Sequence, residues 1–381
     1  MTIVAAIVGT ALVLLVLWEG FETIILPRRV TRRFRLTRLF YRLTWLPWTT
    51  AVRRLAPARD RETYLSYFGP LSLFLLITVW AVTLIAGFAL IYWANGSAIV
   101  GSDGSSGFFS DLYLSGTTFF TLGLGDVTPR TTLARTLTVT EAGMGFAFLA
   151  MIISYLPALN QSFSRREVSI SLLDARAGSP PTAAELLRRH AGEQGLQALQ
   201  HLFHEWEGWA AEFLESHLSY PVLAYFRSQH DNQSWLAALT AVLDATALVM
   251  VGLEGACQRQ ARLTFAMARH AMADLSVVFR VTPREGEPDR LPAERLARLR
   301  DELAAAGLQL RRGSDADREL AELRRLYEPY LLALGRRLLI TIPPWLADHR
   351  RSDNWQADPW DRRSRRGHRP AKAVGDAEEH F

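Results

Sequence analysis

Cysteine and lysine are almost missing from this chain. One cysteine, Cys257, stands among 381 residues, which excludes an intramolecular disulfide and any cysteine metal cluster. Lys372 is the single lysine among 43 basic residues, so arginine carries the positive charge. With the bias toward alanine, this composition points to a bacterial chain from a GC-rich genome. A dinucleotide fingerprint is also missing: the nearest stretch, VGLEGACQ, lacks the glycine spacing and sits in a helical run. No Ser-His-Asp arrangement or phosphate loop stands out. His201, His204, Glu205 and His217 are scattered along amphipathic patterns, where histidines are ordinarily surface or core residues rather than metal ligands. Nothing here assembles an enzyme or calls for a cofactor. The net charge of +5 is concentrated beside an apolar span, which favours membrane orientation over nucleic-acid binding.

Long apolar runs are present, and they are unevenly placed. Residues 1–160 hold unbroken apolar blocks, whereas residues 163–381 are mixed and charged like a soluble protein. The first block, TIVAAIVGTALVLLVLW, runs on through Glu19 and Glu22 to residue 26. As a helix it would span about 37 Å at 1.5 Å per residue, against a bilayer core of about 30 Å. A signal peptide fits it poorly, because a basic leading region and a small-residue cleavage site are both missing. The second block, residues 69–94, carries no charge, and Tyr92 and Trp93 sit where an aromatic belt is expected. The third, residues 132–159, holds Arg135 near its start and Glu141 inside.

The arginines orient these spans. Eleven of them, from Arg28 to Arg61, lie between the first two blocks, and Arg165 and Arg166 follow the third. The loop between the second and third has Asp103, Asp111 and Asp126 against Arg130. The positive-inside rule then places the N-terminus outside, the 27–68 loop and the C-terminal region in the cytoplasm, and the 95–131 loop outside. That is a multi-pass protein of a prokaryotic inner membrane.

Residues 29–55 alternate arginine with Phe, Leu, Trp and Tyr, which predicts an amphipathic helix on the inner membrane surface, broken at Pro47, with anionic lipids gathered along Arg28–Arg61. Arg29, Arg32, Arg35 and Arg38 recur every third residue as in a voltage-sensing helix, but Arg33 and Arg42 break that row. Beyond SRREVSISLLDARAGSPP, which reads as a linker, apolar residues recur at three and four, predicting an all-α cytoplasmic domain over 163–345. Residues 235–253 are apolar enough to raise a fourth crossing, yet Asp244 at their centre disfavours it. The tail, 346–381, has the composition of a disordered segment.

The external loop holds FFSDLYLSGTTFFTLGLGDVTP. Its first half, Phe108 to Phe120, predicts a short helix dipping into the membrane. Its second half puts glycines at 123 and 125, which permit φ > 0 at every second residue. Backbone of alternating handedness turns successive carbonyls of Thr121, Leu122, Gly123 and Leu124 the same way. Four such chains around an axis would stack rings of oxygen able to replace the water shell of a monovalent cation. Thr121 would add a hydroxyl ring at the inner end, and Asp126 a ring of carboxylates at the outer end.

Residues 69–159 resemble the pore module of tetrameric potassium channels: outer helix, pore helix, filter, inner helix. The family filter is commonly T-V-G-Y-G-D; here it reads Thr121-Leu122-Gly123-Leu124-Gly125-Asp126, with Pro129 following. The resemblance implies an ion-binding filter at those six residues, K⁺ as the transported ion, and Tyr113 bonded to Asp126 behind the filter. It also places Gly145 where a hinge glycine is expected, although Gly143 and Gly145 equally suit close helix packing. Leu124 departs from the family pattern: the usual tyrosine can brace the filter with its hydroxyl, and leucine cannot. Selectivity for K⁺ over Na⁺ is therefore the point the departure weakens.

One chain carries one T-x-G-x-G, so fourfold coordination requires a homotetramer. Phe146, Leu149, Ile153 and Pro157 form one helical stripe, either lining the path as a hydrophobic gate or packing on the outer helix. Two roles are open to Glu141, tuning conductance or bracing the filter from behind. Glu19 and Glu22 are placed either to pair with Arg28 or Arg29 or to sit at the interface. The predicted fold is an all-α membrane protein: a potassium-channel-like pore module over 69–159, an added membrane helix over 1–26, and a helical cytoplasmic domain with a gating ligand or partner the sequence does not name. A non-selective monovalent cation channel and a non-conducting sensor with a vestigial pore are the alternatives.

Overall fold

The computed structural model describes residues 2–26, 35–57, 60–96, 99–101, 107–230, 232–253, 255–284 and 286–347. The row of arginines from 28 to 33 and the tail from 348 onward lie outside the described residues. Helices dominate: α1 (Thr2–Gly20), α2 (Leu36–Leu55), α3 (Arg61–Ser66), α4 (Phe68–Ala94), α5 (Phe108–Phe119) and α6 (Thr132–Ala177) come first. Then follow α7 (Ala183–Arg189), α8 (Glu193–Ser219), α9 (Trp235–Gly252), α10 (Ala256–Val278), α11 (Ala293–Ala305), α12 (Ser314–Arg325) and α13 (Glu328–Leu338). A small antiparallel ribbon, β1 (Ile99–Gly101) with β2 (Val127–Pro129), was not expected; it pairs Gly101 with Val127 and Ile99 with Pro129.

The chain divides into two compact units, and the division is not linear in sequence. The first takes Met1–Arg166 together with Ala211–Ser228 and Asp274–Arg280; the second takes Glu167–Ala210, Gln229–Ala273 and Val281–Phe381.

In the first unit α1 lies against α4 with backbone touching backbone. A Cβ on Gly9 would stand 2.5 Å from the Gly87 carbonyl oxygen, and one on Gly87 would stand 2.8 Å from Val13. Small residues at a crossing let membrane helices approach closely where lipid supplies no hydrophobic drive. Val13, Val16, Trp80, Leu84 and Phe88 fill the seam and continue to Leu114 and Phe119 of α5. The opposite face of α1 stays apolar and exposed at Ile3, Ile7 and Leu14, as a lipid-facing surface should be.

Glu19 is fully buried and caps α2. It accepts from the amides of Leu36 (3.0 Å) and Thr37 (3.1 Å) and from the Thr37 hydroxyl (2.8 Å). A carboxylate on open helix amides is stabilised both by hydrogen bonding and by the helix dipole. Glu22 instead accepts from the Trp18 indole (2.8 Å) and faces Arg35 at 3.8 Å. Neither acid is therefore simply an interfacial residue. Two further expectations change in this region. α2 runs unbroken through Pro47, with Trp45 buried on one side of it and Thr49 and Val52 on the other. Tertiary packing here outweighs the amide and the space that proline removes. The row of every-third arginines is also interrupted, since Arg35 is extended and α2 starts after it.

α6 extends well past residue 159, so SRREVSISLLDARA is helix rather than linker. Ile170, Leu173 and Ala177, buried at spacings of three and four, carry the helical period.

In the second unit α9 is buried on nearly all sides by protein. Its apolar composition is that of a core helix, which composition alone does not separate from a membrane span. Asp244 is matched inside that core: Arg290 donates to both its oxygens (3.2 and 2.7 Å) and the Tyr327 hydroxyl to Oδ1 (2.6 Å). Arg290 also bonds Glu328 (2.9 Å) and the Pro343 carbonyl (2.9 Å).

Candidate functional site

α5 starts after Gly107, whose φ of +132° suits glycine. Asp111 lies buried in its first turn, where the helix dipole favours an acid. At the C-terminal end the chain turns tightly. The Phe120 amide bonds the Gly116 carbonyl (3.1 Å), Thr121 bonds Thr118 (3.0 Å), and Leu122 bonds Thr117 (2.8 Å). Those bonds set the start of the glycine-rich run on the end of a rigid helix.

The backbone of that run alternates. φ is +59° at Thr121, +56° at Gly123 and +81° at Gly125, while Leu122 and Leu124 between them keep negative φ. The left-handed region is free to glycine but costs a β-branched residue about 1–3 kcal/mol, a strain that persists where the surroundings enforce it. Thr121 through Asp126 are all exposed in the single chain. If such a strained, exposed, alternating run of polar backbone lies at membrane depth, it is tolerated only along a water-filled path or against other protein.

Tyr113 and Asp126 meet: the phenol donates to Asp126 Oδ2 across 2.8 Å. The glycine-rich run therefore joins α5 at both ends, by backbone bonds at Thr121 and Leu122 and by this side-chain bond at Asp126. Phe119 is buried and packs on Phe148 (ring centroids 5.6 Å apart), whereas Phe120 is exposed.

α6 presents two faces. Phe146, Leu149, Ile153 and Pro157 are exposed on one. Glu141, Gly145, Tyr155 and Leu159 are buried on the other. Gly145 is thus not on the exposed stripe. A Cβ there would overlap the Phe119 carbonyl oxygen, so glycine permits the contact of α6 with the end of α5. Gly143, by contrast, faces open space, and α6 is continuous helix through both glycines.

Glu141 is fully buried and turned toward α4 and α5. It accepts from the Tyr92 hydroxyl (2.9 Å) and lies 2.5 Å from the Ser115 hydroxyl. Tyr92 is consequently a buried hydrogen-bond donor and not a belt residue. The pairing of Tyr92 and Ser115 with Glu141 was not legible in the sequence, since Glu141 lies 49 and 26 residues away from them.

A further cluster was missed midway along α6, from Tyr155 to Arg166. The turn Pro221–Tyr225 inserts Tyr225 between Tyr41 (stacked, centroids 5.4 Å), Trp45 (5.0 Å) and Phe68 (5.2 Å). Val222 and Leu223 pack on Leu73, Tyr155 and Leu159. Buried Arg166 donates to the carbonyls of Leu223 (2.9 Å) and Phe226 (2.9 Å), with its guanidinium 5.0 Å from the Phe163 ring. His217 donates from Nδ1 to the Phe213 carbonyl (2.8 Å), which leaves Nε2 facing Arg166 Nη1 at 3.5 Å. Burial, with Arg166 adding to it, holds the His217 pKa well below the ordinary histidine value. No group of three or more His, Cys, Asp or Glu side chains able to hold a metal ion occurs among the described residues.

Residues 75–161 match the model of an ion channel family, Ion_trans_2. An uncharacterized membrane protein of Bacillus subtilis (strain 168), YdjJ, is 24% identical over 200 residues, which cover 51% of this chain and 57% of the relative. The chain thus spans little more than half the length of that relative. No solved structure matches it. The matched stretch holds α4 from Leu75 onward, α5, the alternating run and the membrane part of α6. The chain is an all-α membrane protein whose residues 75–161 are similar to ion channels.

Proposed function

We propose that this protein is a homotetrameric, potassium-selective channel of a prokaryotic inner membrane that passes K⁺ down its gradient and catalyses no reaction. The observation that carries the reading is the alternation of φ at Thr121, Gly123 and Gly125. Glycine alone would explain two of those positions; the strained Thr121 is what an enforced filter conformation requires. Carbonyls aligned by such alternation form a cation site once four copies surround an axis. The exposure of all six residues from Thr121 to Asp126 agrees with a partner surface supplied by other copies. Asp126 at the outer end would concentrate cations.

One observation favours a second reading. Leu124 has no hydroxyl to brace the filter and is exposed, which suits a non-selective monovalent cation pore.

Gating would act through α6. Its exposed stripe of Phe146, Leu149, Ile153 and Pro157 would close the path by dewetting. The turn Pro221–Tyr225, held by Arg166, grips the same helix at Tyr155 and Leu159, so a change in the C-terminal region would reach the gate there. α2 would rest on anionic lipid: Leu39, Leu43 and Leu46 are exposed beside Arg42, Arg53 and Arg54. Arginine asymmetry would place the N-terminus outside and the C-terminal region in the cytoplasm.

The test is K⁺ flux into liposomes holding the purified protein, with Gly123→Ala as control. Flux that disappears in the variant supports the reading. Flux of equal size in both proteins contradicts it.

A further inference from the structure

We propose that Glu141 is a positioning residue for the filter, pinning α5 between α4 and α6 and so supplying the rigidity that Leu124 cannot. The proposal rests on the reading of Thr121–Asp126 as a conducting filter.

The geometry is a three-helix junction at one carboxyl group. Glu141 stands on α6, deep in the span, and each oxygen meets a different helix: Oε2 takes the Tyr92 hydroxyl of α4 at 2.9 Å, and Oε1 meets Ser115 of α5 at 2.5 Å. Ser115 also lies 2.8 Å from the Ile85 carbonyl on α4, and the Tyr92 hydroxyl 3.2 Å from Thr138 of α6. α4, α5 and α6 are thus each tied to the other two through Glu141, Ser115 and Tyr92.

An acid inside a membrane is expensive, and apolar packing holds helix bundles together without one. The position of the junction gives it a use. Ser115 precedes Thr117 and Thr118 by two and three residues, and the carbonyls of those threonines receive the amides of Leu122 and Thr121. A displacement of α5 would therefore pass through two backbone hydrogen bonds into the strained start of the filter. At the other end Tyr113 holds Asp126 from the same helix. Fixing α5 fixes both ends of the run.

Proton counting identifies the substitution that separates bridging from charge. Ser115 has one hydroxyl hydrogen but two acceptors within reach, Ile85 and Glu141. A glutamine at 141 can accept from Tyr92 and donate to Ser115, leaving the serine hydrogen for Ile85. Glu141→Gln should therefore keep the junction, and Glu141→Ala should lose it.

The experiment uses the full chain in liposomes, read by the K⁺/Na⁺ flux ratio and by amide hydrogen exchange of residues 108–126. Glu141→Ala should lower the ratio about tenfold and raise exchange in that segment about tenfold, the scale of one buried hydrogen bond lost. Glu141→Gln should stay within about twofold of wild type on both. Ser115→Ala and Tyr92→Phe, each breaking one arm, should shift both readouts about threefold, and they carry the test if Glu141→Ala does not assemble. An unchanged exchange pattern in Glu141→Ala, or in both single-arm variants, overturns the proposal. So does Glu141→Gln behaving like the alanine variant. A wild type that conducts nothing, or conducts both ions equally, contradicts the filter reading alone, and exchange still decides whether Glu141 positions α5.

Discussion

The Tyr113 hydroxyl donates a 2.8 Å hydrogen bond to the Asp126 carboxylate, joining the middle of α5 to the C-terminal end of the alternating run. Thirteen residues separate the two in sequence. With no tyrosine at 124, this bond ties the Asp126 end of the run to α5.

Tyr113→Phe removes that bond and little else, because the ring keeps its place. The expected result is a several-fold lower K⁺/Na⁺ flux ratio with the oligomer intact. An unchanged ratio would show that Asp126 needs no restraint from α5.

Gly145 and Gly143 should separate cleanly. Gly145→Ala drives a methyl group into the Phe119 carbonyl, and overpacking of that kind costs about 1–3 kcal/mol. Gly143→Ala meets open space and gains helix propensity of up to about 1 kcal/mol. Thermal unfolding in detergent should show a lower midpoint for the first variant and an equal or higher one for the second.

Arg166→Ala leaves the Leu223 and Phe226 carbonyls without the guanidinium that bonds them. Hydrogen bonds to a charged group are worth about 1.5–3 kcal/mol each, so the turn Pro221–Tyr225 should loosen. Hydrogen exchange in 221–226 should rise, and channel activity should change while the K⁺/Na⁺ ratio does not. A change in that ratio would mean that Arg166 acts on the run Thr121–Asp126 and not through α6.

His217 gives the same cluster a pH dependence. Its pKa in the folded protein lies below the unfolded value of about 6.5, so the unfolded chain binds more protons between the two values. Stability from the neutral imidazole is complete above about pH 6.5 and falls as the pH drops from there toward the lowered folded value. The unfolding midpoint of the full chain should therefore decrease on acidification below about pH 6.5, and less steeply in His217→Gln. Equal slopes in both proteins would remove His217 from the account.

What the sequence discloses here is local. The three apolar blocks and the run from Thr121 to Asp126 are legible because hydropathy and backbone freedom are properties of adjacent residues. The Tyr113–Asp126 pair comes from the resemblance to potassium-channel pore modules and not from geometry, and the structure joins the two. The Glu19 cap on α2 was out of reach because it depends on where the chain returns after residue 35. The crossing of Gly9 on Gly87 and the grip of Arg166 on Leu223 depend on packing between distant segments. Pro47 misled for a related reason, since its local preference was overruled by the burial of Trp45, Thr49 and Val52. The helix from 164 to 177 could have been read from Ile170, Leu173 and Ala177, but the arginines and the closing prolines obscured that period.

The central claim is that Thr121 to Asp126 selects K⁺ despite Leu124. The most direct measurement is the reversal potential of the purified protein in a planar bilayer with K⁺ on one side and Na⁺ on the other. The account predicts a potential displaced far toward the K⁺ equilibrium value, and its loss in Gly123→Ala. A reversal at zero, with current carried equally by both ions, would contradict it.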